Sequence, residues 1–222
     1  ATNGWITQNL TTGGANPANV AWTLRPSPFT QGSTFTSNDA SQYYLSNPDA
    51  AGSGVTANAR LQSPTFSTVG YSAVNVSYFH YYRHLTLTQN VEYSVDGVNW
   101  VSFRTYNTTQ GAPAAFVQDT VALPAGALNQ PSVSIRFRYQ DGWAWYWAID
   151  NFQVVGTLST PTITWSPTTD LYTDAAGTIP YTGGNAAIVY AKVSETSPTS
   201  YTASSVNVVG CEREANFSFE LT

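Results

Sequence analysis

The sequence predicts an all-β protein of two domains: a larger N-terminal β-sandwich and a small C-terminal one. Three observations carry this. Helix signals are nearly absent, while short alternating runs rich in Val, Thr, Tyr and Phe recur at strand spacing. Gly, Pro, Asn and Ser cluster between those runs as turn residues. Only 9% of the 222 residues are charged, against about 25% in ordinary soluble domains. Thr, Ser, Asn, Gly and Tyr fill the gap, a composition that suits strands, turns and secreted proteins.

Taken in order, the first 70 residues are rich in turn formers and predict long loops joined by short strands. Strands are expected at 74–82, 90–95, 99–106, 115–123, 132–139 and 148–155. Asp96-Gly97 between Val95 and Val98 predicts a tight hairpin, because Asp-Gly readily takes the positive φ angles such a turn needs. In 132–139, Val133, Ile135, Phe137 and Tyr139 share one face while Ser134, Arg136 and Arg138 share the other. In 78–84, Tyr78, His80, Tyr82 and His84 alternate with Phe79, Tyr81 and Arg83. Val74 and Val76 have the parity of Tyr78, so Phe79, Tyr81 and Arg83 are expected on the outer face.

A boundary is expected near 156–161. Beyond it, Thr162-Ile-Thr-Trp-Ser-Pro167 and short strands around 187–192, 199–205 and 216–221 fit a small immunoglobulin-type sandwich without its disulfide. The domains are therefore drawn at 1–157 and 158–222.

Composition excludes several functions. Lys192 is the single lysine among eight basic residues and the net charge is −5, so no basic stripe exists to displace phosphate counterions from nucleic acid. Anionic membranes are disfavoured for the same reason, and no apolar run approaches the roughly 18 to 20 residues of a membrane span. The opening residues carry no leader pattern, as expected after a processed leader or at a domain boundary. Cys211 is the single cysteine; it reads as a small half-buried residue, the alternative being an intermolecular bridge.

Asp141-Gly-Trp-Ala-Trp-Tyr-Trp147 is the most distinctive segment. As a strand it would align Trp143, Trp145 and Trp147 on one face, as a core seam or a platform for sugar rings. Trp147 adjoins an apolar strand and reads as core. Trp143 and Trp145 follow the Asp141-Gly142 turn and are candidates for a binding loop at the rim. Trp5, Trp22, Trp100 and Trp165 read as structural. His80 and His84 have helical metal spacing, but in a strand four residues span about 13 Å, too far for one ion. They read as two imidazoles in an aromatic wall. No serine sits in a strand-to-helix nucleophile turn, and Glu212 and Glu214 beside Cys211 oppose a thiolate. Paired carboxylates of a glycoside hydrolase remain the least favoured enzymatic alternative.

Residues 4–155 resemble the jelly-roll domains called choice-of-anchor J and cleaved adhesin, relatives of MAM domains. The resemblance rests, in order, on Gly4-Trp5, Ala59-Arg-Leu-Gln-Ser-Pro64, Glu92-Tyr-Ser-Val-Asp-Gly-Val-Asn-Trp100 and Trp147-Ala-Ile-Asp-Asn-Phe152. The second part, with Thr164-Trp-Ser-Pro167, Ile188-Val-Tyr-Ala191 and Gly210-Cys211, resembles Ig-like repeats of surface proteins in gliding, type IX-secreting bacteria. These resemblances imply an extracellular, cell-surface adhesin or an accessory module of a secreted enzyme, and do not imply catalysis. They also imply a structural calcium near Asp150, whose nearest candidate donors lie in Ser37-Asn-Asp39 and Asn47-Pro-Asp49; the acidic loop usual after Gly-Trp is missing here. Asp39 and Asp150 are the expected calcium ligands.

The resulting expectation is a non-catalytic binding module, its partner a glycan or surface polysaccharide or other modules of the same surface protein. Tyr81, Arg83, Arg138, Trp143 and Trp145 are the expected ligand-binding residues, since Arg and aromatic groups together suit acidic or hydroxyl-rich glycans. The alternative is a structural, self-assembling role.

Overall fold

The computed structural model describes residues 3–207 and 210–218. The chain is all-β and divides into two compact units, Ala1–Thr157 and Leu158–Thr222. The first unit holds twelve strands: β1 (Ile6–Asn9), β2 (Thr23–Arg25), β3 (Phe29–Gln31), β4 (Ser33–Phe35), β5 (Tyr43–Ser46), β6 (Ala57–Gln62), β7 (Tyr71–Tyr82), β8 (Gln89–Ser94), β9 (Val101–Tyr106), β10 (Val117–Ala122), β11 (Ser134–Asp141) and β12 (Trp147–Leu158). They build a jelly-roll sandwich of two five-stranded sheets. The front sheet has the order β1-β6-β11-β8-β9 and the back sheet β10-β7-β12-β5-β2. Sequence-distant strands are neighbours in both, as in the antiparallel register of β6 with β11.

Alternation along each strand sorts the side chains. Leu61, Val91, Ile135, Phe137 and Tyr139 from the front meet Val76, Tyr78, Tyr82, Trp147 and Ile149 from the back in one core. Its centre is aromatic: Trp147 packs on Trp22, Tyr82, Tyr106 and Phe137 with ring centroids 5.6–5.7 Å apart. The Asp96-Gly97 hairpin closes β8 on β9. Asp96 Oδ1 accepts the N–H groups of Val98 and Asn99 at 2.8 and 2.7 Å, and Gly97 takes φ +74°.

The back sheet is covered on its other side as well. Tyr43 and Leu45 of β5, Tyr81 of β7 and Ala148 of β12 have outward parity, yet form a second core with Phe35, Phe116 and Tyr146. The β3–β4 hairpin supplies Phe35 and Phe29 to that layer.

The second unit holds β13 (Thr162–Ser166), β14 (Leu171–Tyr172), β15 (Tyr190–Ala191), β16 (Ser200–Val206) and β17 (Glu212–Ser218). They pair as a three-stranded sheet, β13-β16-β17, and a two-stranded one, β14-β15. Leu171, Tyr181 and Tyr201 form its small core. Tyr181 staples the unit, its hydroxyl accepting the Trp165 N–H at 3.0 Å and donating to the Gly184 carbonyl. The last strand begins at Glu212 rather than at 216, and the end of the expected 216–221 strand lies outside the described residues. Cys211 is exposed, not half-buried.

Candidate functional site

The tryptophan segment does not form a row, because β12 starts only at Trp147 and residues 142–146 lie outside the strands. Each ring therefore has its own surroundings. Trp147 is fully buried in the main core. Trp145 is half-buried against the second core, and the Arg83 guanidinium sits 3.6 Å from its ring centroid. That cation–π contact occupies one face of Trp145. Trp143 is 53% exposed, and its indole Nε1–H donates to the Asp49 carbonyl at 3.1 Å. Asp49 also accepts the Tyr146 hydroxyl on Oδ2 at 3.1 Å. On the chain's far side, Asp141 fixes the loop start: Oδ1 accepts the Gly142 N–H at 2.8 Å and Oδ2 the Leu87 N–H at 3.1 Å. The rim thus presents one exposed indole, held by its own N–H, beside an Arg–Trp stack.

Two expected residues do not join it. Tyr81 has the predicted outward parity but is only 3% exposed, because the second core with its β3–β4 hairpin covers that face of the back sheet. Arg138 lies on β11 in the front sheet, whereas Arg83 follows β7 in the back sheet. A single surface combining Arg83 with Arg136 and Arg138 therefore does not form. Arg138 instead reaches Glu92 at 3.3 Å, and Arg136 binds the same carboxylate at 2.6 Å. Glu92 stands directly opposite Arg136 in the β8–β11 register.

Asp39 and Asp150 come together through small polar residues. Ser41 Oγ lies 3.4 Å from both oxygens of Asp150, while its N–H donates to Asp39 Oδ1 at 2.9 Å. Asn151 bridges the pair as well, its N–H donating to Asp150 at 2.8 Å and its amide to Asp39 at 2.9 Å. Asn151 reaches both from a left-handed backbone with φ +47°. Those bonds, the Asn151 amide first, pull Asp39 down to about 2. Asp150 is 6% exposed and shifts upward, from burial first and then from the Asp39 charge among other causes. No ion pair to Asp150 forms among the described residues. Beside it opens a cleft of about 270 Å³ lined by Trp5, Gln42, Tyr43, Asn151 and Phe152 among others.

His80 is walled in by Tyr78 and Tyr106, with ring centroids at 5.4 and 4.7 Å. His84 Nδ1 meets the Tyr82 hydroxyl at 3.1 Å. Among the described residues, no three His, Cys, Asp or Glu side chains gather at metal-binding range. Sequence reasoning missed Asp49 as the anchor of Trp143 and Tyr146; nothing in Asn47-Pro-Asp49 signals a contact 94 residues away. It also passed over Arg60, although the inward alternation of Ala57, Ala59 and Leu61 places it on the solvent face with Arg138.

No family model and no curated protein sequence matches this chain. Solved structures similar to it include a cleaved adhesin domain of Lys-gingipain from Porphyromonas gingivalis, at 16% identity and a TM-score of 0.47, covering 68% of this chain and 91% of that one. TmCBM61 in complex with β-1,4-galactotriose is similar at 13% identity and a TM-score of 0.40, over 68% and 88% of the two chains. A carbohydrate-binding module, CBM35 from Paenibacillus barcinonensis, is similar at 17% identity and a TM-score of 0.37, over 68% and 98%.

Proposed function

We propose that the N-terminal unit is a non-catalytic module of an extracellular surface protein that binds glycan at its Trp143 rim. The observation that supports this is the exposed indole of Trp143, pinned by its own N–H to the Asp49 backbone. An apolar ring face stacks on the apolar face of a sugar. A ring already fixed by a hydrogen bond loses little side-chain entropy on binding. Arg83 and Asp49, at the same rim, supply polar groups for hydroxyls. One such platform gives weak binding, and repetition along a larger protein supplies avidity. The test is glycan-array screening followed by calorimetry on the best ligand. Trp143→Ala is expected to weaken binding at least tenfold, about 1.4 kcal/mol, with an unchanged melting temperature. A variant that binds as well as wild type removes the rim from the reading.

Calcium fits the Asp39–Asp150 cup. A buried carboxylate with no basic partner is costly, and calcium takes six to eight oxygens. The Asp39 and Asp150 carboxylates would hold it, with the Ser37 and Ser41 hydroxyls beside them, and the ion would offset their mutual repulsion. A calcium-dependent rise in melting temperature, lost in Asp150→Asn, is the expected result; no shift at millimolar calcium refutes it.

One observation favours a second reading, docking of another module of the same protein. Leu85 and Leu87 are exposed in the loop bonded to Asp141 at this rim. Under that reading Leu87→Ser abolishes self-association in sedimentation, and no glycan binds.

A further inference from the structure

We infer that the solvent face of the front sheet is a separate binding site for the carboxylate groups of an acidic polysaccharide. Arg60 of β6 and Arg138 of β11 are direct cross-strand partners, and Arg136 stands one row along, opposite both Gln62 and Glu92. The three guanidinium groups thus occupy neighbouring positions on adjacent strands. Glu92 is the carboxylate that meets them: Oε2 accepts Arg136 Nε at 2.7 Å, and Oε1 accepts Arg138 Nη1 at 3.3 Å. Arg60 donates instead to the neutral Gln8 Oε1 at 3.1 Å. Among the described residues, three positive charges therefore face one negative, in a chain whose net charge is −5.

Like charges directly opposite in a sheet repel, and the Arg138 side chain is 31% exposed on this face. Among the described residues, the Nε atoms of Arg60 and Arg138 are buried and have no hydrogen-bond partner. Arg136 is only 8% exposed, and the Trp100 ring centroid lies 4.0 Å from its guanidinium carbon, so Arg136 is held in place. Burial lowers the Arg136 pKa, and Arg60 and Arg138 add to that pressure against the opposing pull of Glu92. An added carboxylate relieves it and matches the planar guanidinium fork.

The polymer class follows from what surrounds the charges. A groove of about 310 Å³ runs along Gln8, Arg60, Gln62 and Arg136 toward the sheet edge. Gln62, which lines that groove opposite Arg136, brings an amide group beside the guanidinium groups. A ligand that satisfies this face brings acceptors for guanidinium and hydroxyl donors for amide oxygens, which a polyuronate does. An acidic peptide would seek unpaired strand edges, whereas β6 and β11 are paired on both sides.

Calorimetry of the whole chain with polygalacturonate, alginate, fully methyl-esterified polygalacturonate and polyglutamate tests this. Polygalacturonate or alginate is expected to bind, more weakly as salt rises, and the ester at least tenfold more weakly than the free acid. Arg60→Gln, which leaves the Glu92 ion pairs intact, and Arg138→Gln are each expected to lose at least tenfold without lowering the melting temperature. Trp143→Ala is expected to keep polyuronate binding, which separates this site from the rim. Failure of both polyuronates to bind, equal binding of acid and ester, or an Arg60→Gln variant with full affinity overturns the proposal. Preference for polyglutamate does so in favour of an acidic peptide.

Discussion

Acid sensitivity of the sandwich should be set by one imidazole. His80 is 1% exposed, and among the described residues its Nδ1 has no hydrogen-bond partner. Burial drives its pKa from the ordinary 6.5 to about 4, with Asp119 opposing the shift and Arg104 reinforcing it. The folded protein therefore holds His80 neutral at pH values where the unfolded chain has already taken up a proton. Stability from this residue is complete above pH 6.5 and is lost progressively as pH falls to about 4. The slope is about 1.4 kcal/mol per pH unit, so the loss over the window is about 3 kcal/mol. Carboxylates do not mimic it. Asp39 and Asp96 are held below their ordinary values by hydrogen bonds, so their losses fall below pH 4. Asp150 is shifted upward, so it stabilises the fold as pH drops. Urea unfolding from pH 7.5 to 4.5 should give a steep decline for wild type and a much flatter one for His80→Phe, which keeps an aromatic ring against Tyr78 and Tyr106. Parallel declines in the two proteins would refute the assignment.

Further expectations follow from packing and charge. Tyr81→Ala removes a buried ring from the second core and should cost about 3–5 kcal/mol in chemical denaturation; a Tyr81 that contacts ligand directly would instead change affinity at constant stability. Glu92→Gln strips the carboxylate from buried Arg136 and leaves three guanidinium groups without a counter-charge, so a loss of about 3–5 kcal/mol is expected. Added salt should partly restore that variant. Gly111→Ala places a Cβ about 2.8 Å from the Ala115 carbonyl at a φ of +70°, and its melting temperature should fall by several degrees.

Much of the fold was legible because alternation is a local property. Val133, Ile135, Phe137 and Tyr139 share a face in any sheet, and all four are buried. The Asp96-Gly97 turn needs no tertiary information either. What failed was the step from outward parity to exposure. Tyr81 does point away from the main core, but a hairpin of three-residue strands at 29–35 returns to cover it, and turn-rich sequence gives no hint of where a hairpin lands. The tryptophans misled for the opposite reason. Their spacing has strand periodicity, yet the Asp141-Gly142 turn sends the chain into a loop, so adjacent members of the series reach the rim, the second core and the main core.

The same distinction bears on where binding groups are found. A shared Arg surface would have required the strands of Arg83 and Arg138 to adjoin. β11 instead pairs with β6, where Arg138 stands opposite Arg60, 78 residues earlier. Strand order in a jelly roll is set by which hydrophobic faces close the sandwich, not by proximity along the chain. The polar faces follow that order passively. Charges that end up opposed across two such strands were therefore brought together without any local sequence signal, and their opposition calls for an account at the level of the face. Glu92 supplies half of that account by neutralising Arg136 from the other side of β11. Arg60, on the side away from Glu92 and bonded among the described residues to the neutral Gln8, supplies the question that a carboxylate ligand answers.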